Sequence, residues 1–154
     1  MKLGLISDTH NYLDPEIAKL FKGVDQILHA GDIGMPALLL ELELVAPVTA
    51  VGGNTDDPAF RYPLTRKLKL AGKRFLLRHI VDPHALRTDL KSLGAGDLPD
   101  VVMFGHTHKP FCEHVDGTLF FNPGYAGKQR FDLPRTVALM HCDGREIRHE
   151  FIAL

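Results

Sequence analysis

The stretch Lys2-Leu-Gly-Leu-Ile-Ser-Asp8-Thr-His10 decides how this chain is read. An apolar run of strand character ends in a carboxylate, an imidazole follows two residues later, and the pattern recurs downstream. Val24-Asp-Gln-Ile-Leu-His-Ala-Gly31-Asp32, Val48-Thr-Ala-Val-Gly-Gly-Asn54 and Val101-Val-Met-Phe-Gly-His106 all close on a polar residue. Near-continuous apolar runs suit parallel strands buried on both faces. The carboxyl ends of such strands share one sheet edge, where open α/β folds keep their ligand crevices. Asp8, His10, Asp32, Asn54, His106 and His108 are therefore expected to converge, although they are spread over the first two-thirds of the chain.

Their chemistry selects a class of metal. Carboxylate, imidazole and amide oxygen without thiolate suit Mn, Fe, Zn, Ni or Co better than a soft-metal or iron–sulfur site. Six donors exceed what one tetrahedral ion needs, so two ions sharing a bridging carboxylate are the better count. Two ions roughly 3.5 to 4 Å apart can clamp the attacking and leaving oxygens of an in-line displacement and lower the pKa of a bound water. Each residue taken alone has a structural alternative: Asp8 can cap a loop, Asp32 can sit in a turn and Asn54 can take the left-handed conformation beside Gly53. Taken together the residues favour a site, and His106 and His108, two apart, face one side if extended.

The ordered set Asp8-Thr-His10, Gly31-Asp32, Gly53-Asn54-Thr-Asp56 and Gly105-His106-Thr-His108-Lys-Pro110 resembles the calcineurin-like metallophosphoesterase superfamily, and with the short length it is most similar to the small YfcE-type phosphodiesterases. Asn122-Pro-Gly124 extends the match. The resemblance implies a four-layer αββα sandwich of two mixed β-sheets with helices outside. It also implies that Asp8, His10 and His108 hold a first metal, that Asp32 bridges, and that Asn54, His79 and His106 hold a second. Asp32 and Asn54 would be the catalytic pair around a metal-bridging water that acts as nucleophile. The implied cofactors are two divalent transition ions, Mn first, with Ni, Fe, Co or Zn as alternatives.

Composition agrees with one enzyme domain spanning residues 1–154. The apolar fraction of 45% and charged fraction of 24% are those of a globular protein. A net charge of −1 gives no basic field for a nucleic-acid polymer, so a small phosphodiester is the favoured partner and oligomeric state stays open. Cys112 and Cys142 match no metal-ligand spacing. The first apolar run is too short for a signal-peptide core, and no run approaches a membrane span, which reads as a cytoplasmic chain without membrane attachment.

Alternating strands and helices over the first half predict strands near 2–7, 25–29 and 48–52, with helices near 15–22 and 35–45 between them. Leu38, Leu39, Leu42 and Val45 form the core stripe of the second helix. A third helix is predicted from Asp82-Pro83 through Leu86, Leu90 and Leu93 to Gly94. Strands near 73–78, 101–104, 111–115, 118–121, 136–141 and 146–152 follow, with Asp116-Gly117 and Asp143-Gly144 as hairpin turns.

Several positions depart from the family pattern. His79 is followed by Ile80 where glycine is usual, and His84 competes with it as ligand; His79 is preferred because His84 falls in the first turn of a helix. Thr55 stands where larger members carry a histidine that helps the leaving group. Tyr125 replaces a serine and could stack on a substrate ring or pack in the core, and Lys109 could meet a substrate phosphate or be solvated. His29 is read as a packed histidine behind the ligands, and His114, His141 and His149 as structural. The expected activity is phosphodiester hydrolysis. The alternatives are a phosphomonoesterase or nucleotide pyrophosphatase using the same two metals, and a non-catalytic interaction scaffold of the kind formed by the superfamily's retromer subunit.

Overall fold

The computed structural model describes residues 1–86, 98–130 and 132–154. Strand β1 (Lys2–Ile6) pairs in parallel with β2 (Gln26–His29), and β2 pairs in parallel with β3 (Val48–Ala50). Between them lie the helices α1 (Ile17–Leu20) and α2 (Ala37–Glu43). The late strands β9 (Thr136–Cys142) and β10 (Ile147–Ala153) join this sheet antiparallel, in the order β10-β9-β1-β2-β3. A second mixed sheet has the order β4-β5-β6-β8-β7, built from β4 (Thr65–Leu70), β5 (Lys73–Arg78), β6 (Val101–Met103), β7 (Phe111–Val115) and β8 (Thr118–Asn122).

Three apolar clusters define the layers. Leu3, Leu5 and Leu28 of the first sheet meet Phe75, Leu77, Val101, Met103 and Phe121 of the second, all fully or nearly fully buried. On the outer face of the first sheet, Ile6 and Ile27 alternate with those residues and pack under Ile17, Phe21, Leu38 and Leu42 of the helical layer. On the outer face of the second sheet, Leu76, Val102, Phe104 and Phe120 pack with Val81, Leu86 and Leu98. This is the two-sheet α/β sandwich expected from the sequence.

The helices are shorter than their hydrophobic patterns. Residues 15–22 condense to a four-residue α1, and α2 ends at Glu43 because Leu44 N–H turns back to Glu41 C=O in a tighter bond. The α2 stripe holds: Leu38 and Leu42 are buried, Leu39 and Val45 are half-buried against the same cluster, and Leu40 and Leu44 face out. Of the third helix, residues 83–86 are helical, with Asp82 Oδ1 accepting the His84 and Ala85 N–H groups; the rest of that expectation lies outside the described residues. Asp116-Gly117 is the expected two-residue hairpin, both residues at positive φ between Val115 and Thr118. Asp143-Gly144 opens a four-residue connection instead, since Cys142 pairs with Ile147.

Strand β4 was not expected. Thr-Arg-Lys-Leu-Lys-Leu70 carries only two apolar side chains, but Leu68 and Leu70 alternate inward and Ala71-Gly72, at φ 47° and 80°, turns it back onto β5. Among the described residues no helix is long and apolar enough to cross a membrane.

Candidate metal centre

Five strands of the two sheets, β1, β2, β3, β5 and β6, end side by side, and each hands its following residues to the same point. After β1 the chain remains zipped to the loop after β2: Asp8 N–H donates to Gly31 C=O, His10 N–H to Asp32 C=O and Asn11 N–H to Ile33 C=O at 2.8–3.0 Å. Gly105 N–H likewise donates to His79 C=O, joining the ends of β5 and β6. The backbone then turns sharply. Asp8, His10, Asp32, His106 and His108 all have positive φ between 46° and 67°. Non-glycine residues enter this region at a cost of roughly 1–2 kcal/mol each, so the network over-determines a strained ring of ligands.

Two sets of donor atoms result. Asp8, His10 and His108 present atoms within 4.8 Å of one another, and so do Asp8, Asp32 and His79. In the first set His108 Nε2 lies 3.2 Å from Asp8 Oδ1 and 3.4 Å from His10 Nε2. In the second, His79 Nε2 lies 3.3 Å from Asp32 Oδ2 and 3.2 Å from Asn54 Oδ1. Asp32 Oδ2 is also 3.8 Å from His10 Nε2. Asp32 thus faces both sets, while Asp8 belongs to both. Asp8 and Asp32 are buried, and carboxylates are costly there without a positive partner. Lone-pair atoms aimed at each other from buried carboxylates and imidazoles fit divalent cations of intermediate hardness.

The surroundings fix these side chains. Asp32 Oδ1 accepts from Thr55 N–H at 2.9 Å, which leaves Oδ2 to the histidines. His79 Nδ1 donates to Ala30 C=O at 2.8 Å, setting the tautomer that turns Nε2 into the site. Burial alone would raise the Asp32 carboxyl, but the hydrogen bonds from His79 and Thr55 outweigh it and hold Asp32 well below the usual carboxylate range. Burial pulls the His79 imidazole down, and its bonds to Asp32 and Ala30 more than reverse that, so it ends above its ordinary value. Burial dominates at His10 and lowers it despite Asp32 and Asp8.

His29 lies behind Asp32, fully buried. Its Nδ1 accepts from Gly31 N–H at 3.2 Å, so Nε2 carries the proton and donates to Thr9 Oγ1 at 2.9 Å; Thr9 in turn donates to Ile33 C=O. Burial pushes this imidazole down to about 4. It is a neutral strut, as its sequence position suggested.

Two glycines are required by close approach. A Cβ on Gly53 would overlap Asp32 Oδ1, and one on Gly105 would overlap Ser7 Oγ and come within 2.7 Å of Asp8 Oδ2. The Gly53 loop is tied down by Asp56, whose carboxylate accepts from Gly53 N–H and Gly34 N–H at 2.8 and 2.7 Å. Asp56 therefore braces the Asn54 loop against the Asp32 loop.

The remaining expected residues differ in placement. Asn54 is exposed at the mouth, with Oδ1 toward His79. The His106 backbone N–H donates to both Asp8 oxygens at 3.2 Å, while its exposed ring stands edge-on to His79, 5.4 Å between centroids. His84 is exposed and belongs to neither donor set. Lys109 is exposed just past His108. Tyr125 as a substrate-stacking residue is corrected: its ring is fully buried, 4.7 Å from the His108 ring and 5.9 Å from that of His10, and its hydroxyl donates to Lys128 C=O. With no free face, it supports the first donor set from behind. Sequence reasoning also passed over Asn122 as a brace. Its amide donates to Gly105 C=O at 2.8 Å and to Thr107 Oγ1 at 3.1 Å, and its Oδ1 accepts from Gly124 N–H, which holds the His106–His108 loop.

Beside Asn54 and His79 opens a cleft of about 460 Å³ lined by Leu64, Thr65, Arg78 and Ile80. It leads away from the donor atoms along the end of β5.

The calcineurin-like phosphoesterase superfamily domain matches residues 1–145. A probable metallophosphoesterase from Methanothermobacter thermautotrophicus is 35% identical, over 99% of this chain and 92% of its own. Among solved structures, an archaeal phosphodiesterase superposes with TM-score 0.79 at 25% identity, covering 99% of this chain and all of its own. Vps29 from Chaetomium thermophilum shares the fold at TM-score 0.79 and 18% identity, over 99% and 97% of the two chains. The chain belongs to the calcineurin-like phosphoesterase superfamily and is a metal-dependent phosphoesterase of that family.

Proposed function

We propose that this superfamily member hydrolyses small phosphodiesters with two divalent transition ions, manganese first. The reading is carried by one observation: two donor sets share a wall of buried carboxylate, with Asp32 Oδ2 facing His10 on one side and His79 on the other. Asp8, His10 and His108 would hold one ion, and Asn54, His79 and His106 the other, with Asp32 between. When bound, such ions supply a water of lowered pKa and positive charge for the phosphoryl oxygens.

The chain's own residues supply the rest. Asn54 turns its Oδ1 to His79, leaving its amide N–H groups to donate to a phosphoryl oxygen at the mouth. Thr55 and Ala30 keep Asp32 and His79 in place before substrate arrives, so little reorganisation remains for the reaction. The cleft beside Asn54 favours a diester over a monoester, because it holds a second substituent on phosphorus against Leu64 and Ile80. The likeness to a phosphodiesterase supports the same choice.

The experiment is direct. The purified chain is assayed with bis-p-nitrophenyl phosphate beside p-nitrophenyl phosphate, with Mn, Ni, Mg and Zn. Faster diester turnover with a transition ion is the expected result; turnover of the monoester alone, or of neither substrate with two ions bound, removes the proposal.

A further inference from the structure

Arg78 ends β5 opposite Thr65 of β4, one residue before His79. It is exposed and, among the described residues, has neither an ion pair nor a side-chain hydrogen bond. It lines the cleft that begins at Asn54 and His79, and with Ile80 it also lines an adjoining cavity of about 190 Å³. Asp82, the carboxylate of that second cavity, accepts the His84 and Ala85 N–H groups at Oδ1 and, among the described residues, makes no ion pair with Arg78. Beside Thr65, the walls of the cleft beyond the donor atoms are apolar: Leu64 is 73% exposed and Ile80 50%. Apolar side chains lining a concave surface suit the apolar body of a ligand. A guanidinium among them is matched by an anion that offers two oxygens to two of its N–H groups.

The geometry points to Arg78 as a specificity-determining residue: it binds a second anionic group, phosphate or carboxylate, on a substrate whose apolar body lies between Leu64 and Ile80 while its scissile phosphate sits at Asn54 and His79. This rests on the phosphodiesterase reading above and narrows it to esters that carry a further negative charge. A substituent with no charge would fill the apolar walls and leave Arg78 unmatched.

The test compares thymidine 5′-(p-nitrophenyl phosphate) with its 3′-phosphorylated and 3′-O-carboxymethyl analogues, which differ only in the added anion. The manganese-loaded chain is expected to favour one or both anionic analogues about fivefold or more in kcat/KM at low salt, a modest figure because the guanidinium is exposed. Arg78→Ala should abolish that preference, Arg78→Lys, which keeps the charge but not the pair of N–H groups, should keep only part of it, and Arg66→Ala, which removes a charge from β4 outside the cleft, should leave it intact. Which analogue gains tells a phosphate-bearing substrate from a carboxylate-bearing one. No preference in the parent chain, or a preference that survives Arg78→Ala, overturns the assignment. If no thymidine ester is turned over with any metal, the phosphodiesterase reading has failed on its own. Calorimetric binding of adenosine 3′,5′-bisphosphate against adenosine 5′-phosphate then decides: tighter binding of the bisphosphate that Arg78→Ala removes supports the site, and equal binding by parent and variant overturns it.

Discussion

The backbone N–H of Thr55 holds Asp32 Oδ1 at 2.9 Å and so reserves the other carboxylate oxygen for the histidines on either side. The loop after β3 thus aims a side chain from the loop after β2, and Gly53 lets the two loops meet. Gly53→Ala is expected to push its methyl into Asp32 and move this carboxylate. Overpacking of this kind costs about 1–3 kcal/mol. Manganese affinity should fall with it, which a metal titration on the variant reads; unchanged affinity would separate the loop contact from the site.

Tyr125 touches the rings of His108 and His10 and no solvent. Tyr125→Phe loses only the bond to Lys128 C=O, about 1 kcal/mol of stability. Tyr125→Leu opens space behind the first donor set and should weaken metal binding as well. Both changes are expected to act alike on aromatic and aliphatic diesters. A KM rise confined to aromatic esters would restore Tyr125 to the substrate pocket.

Asn122 braces the loop that carries His106 and His108 through Gly105 C=O, Thr107 Oγ1 and Gly124 N–H. Asn122→Ala leaves these groups without their partner, at about 1–3 kcal/mol for each buried one left unsatisfied. The expected readout is a lowered Tm with loss of bound metal. Asn122→Asp keeps the acceptor for Gly124 but sets a buried carboxylate oxygen against Gly105 C=O, so it should lose at least as much.

His29 stays neutral in the fold at pH values where it would be charged in the unfolded chain. Its folded value is lowered, so its contribution to stability is complete above about 6.5 and is lost as pH falls towards 4. The difference is worth roughly 3 kcal/mol. His29→Gln, whose amide can accept from Gly31 and donate to Thr9, should flatten the fall in Tm between those pH values. An unchanged slope would place that acid sensitivity elsewhere.

The sheet edge and the donor residues were legible because the apolar runs of β1, β2, β3 and β6 each end in a polar residue, and buried parallel strands align such ends. Asp8, His10, Asp32 and His108 could be singled out from that order alone. Three kinds of feature were not readable. Strand β4 is held by two leucines and a two-residue turn, and its four polar residues hide the pattern; Ala71-Gly72 before the apolar Phe75 was the available signal. The Asn122 brace depends on a contact between separate loops. Tyr125 read equally as a pocket or a core residue, because its facing is set by the fold around Pro123 and Thr136, whose hydroxyl donates to Pro123 C=O.

The central claim is that two ions are needed and that Asp32 stands between them. Adding manganese stepwise to the metal-free chain while following bis-p-nitrophenyl phosphate hydrolysis tests it most directly. Activity is expected to stay low through the first equivalent and rise with the second, and Asp32→Ala should bind less metal and lose activity by about a thousandfold or more. Full activity at one equivalent, or an active Asp32→Ala variant, would contradict the account.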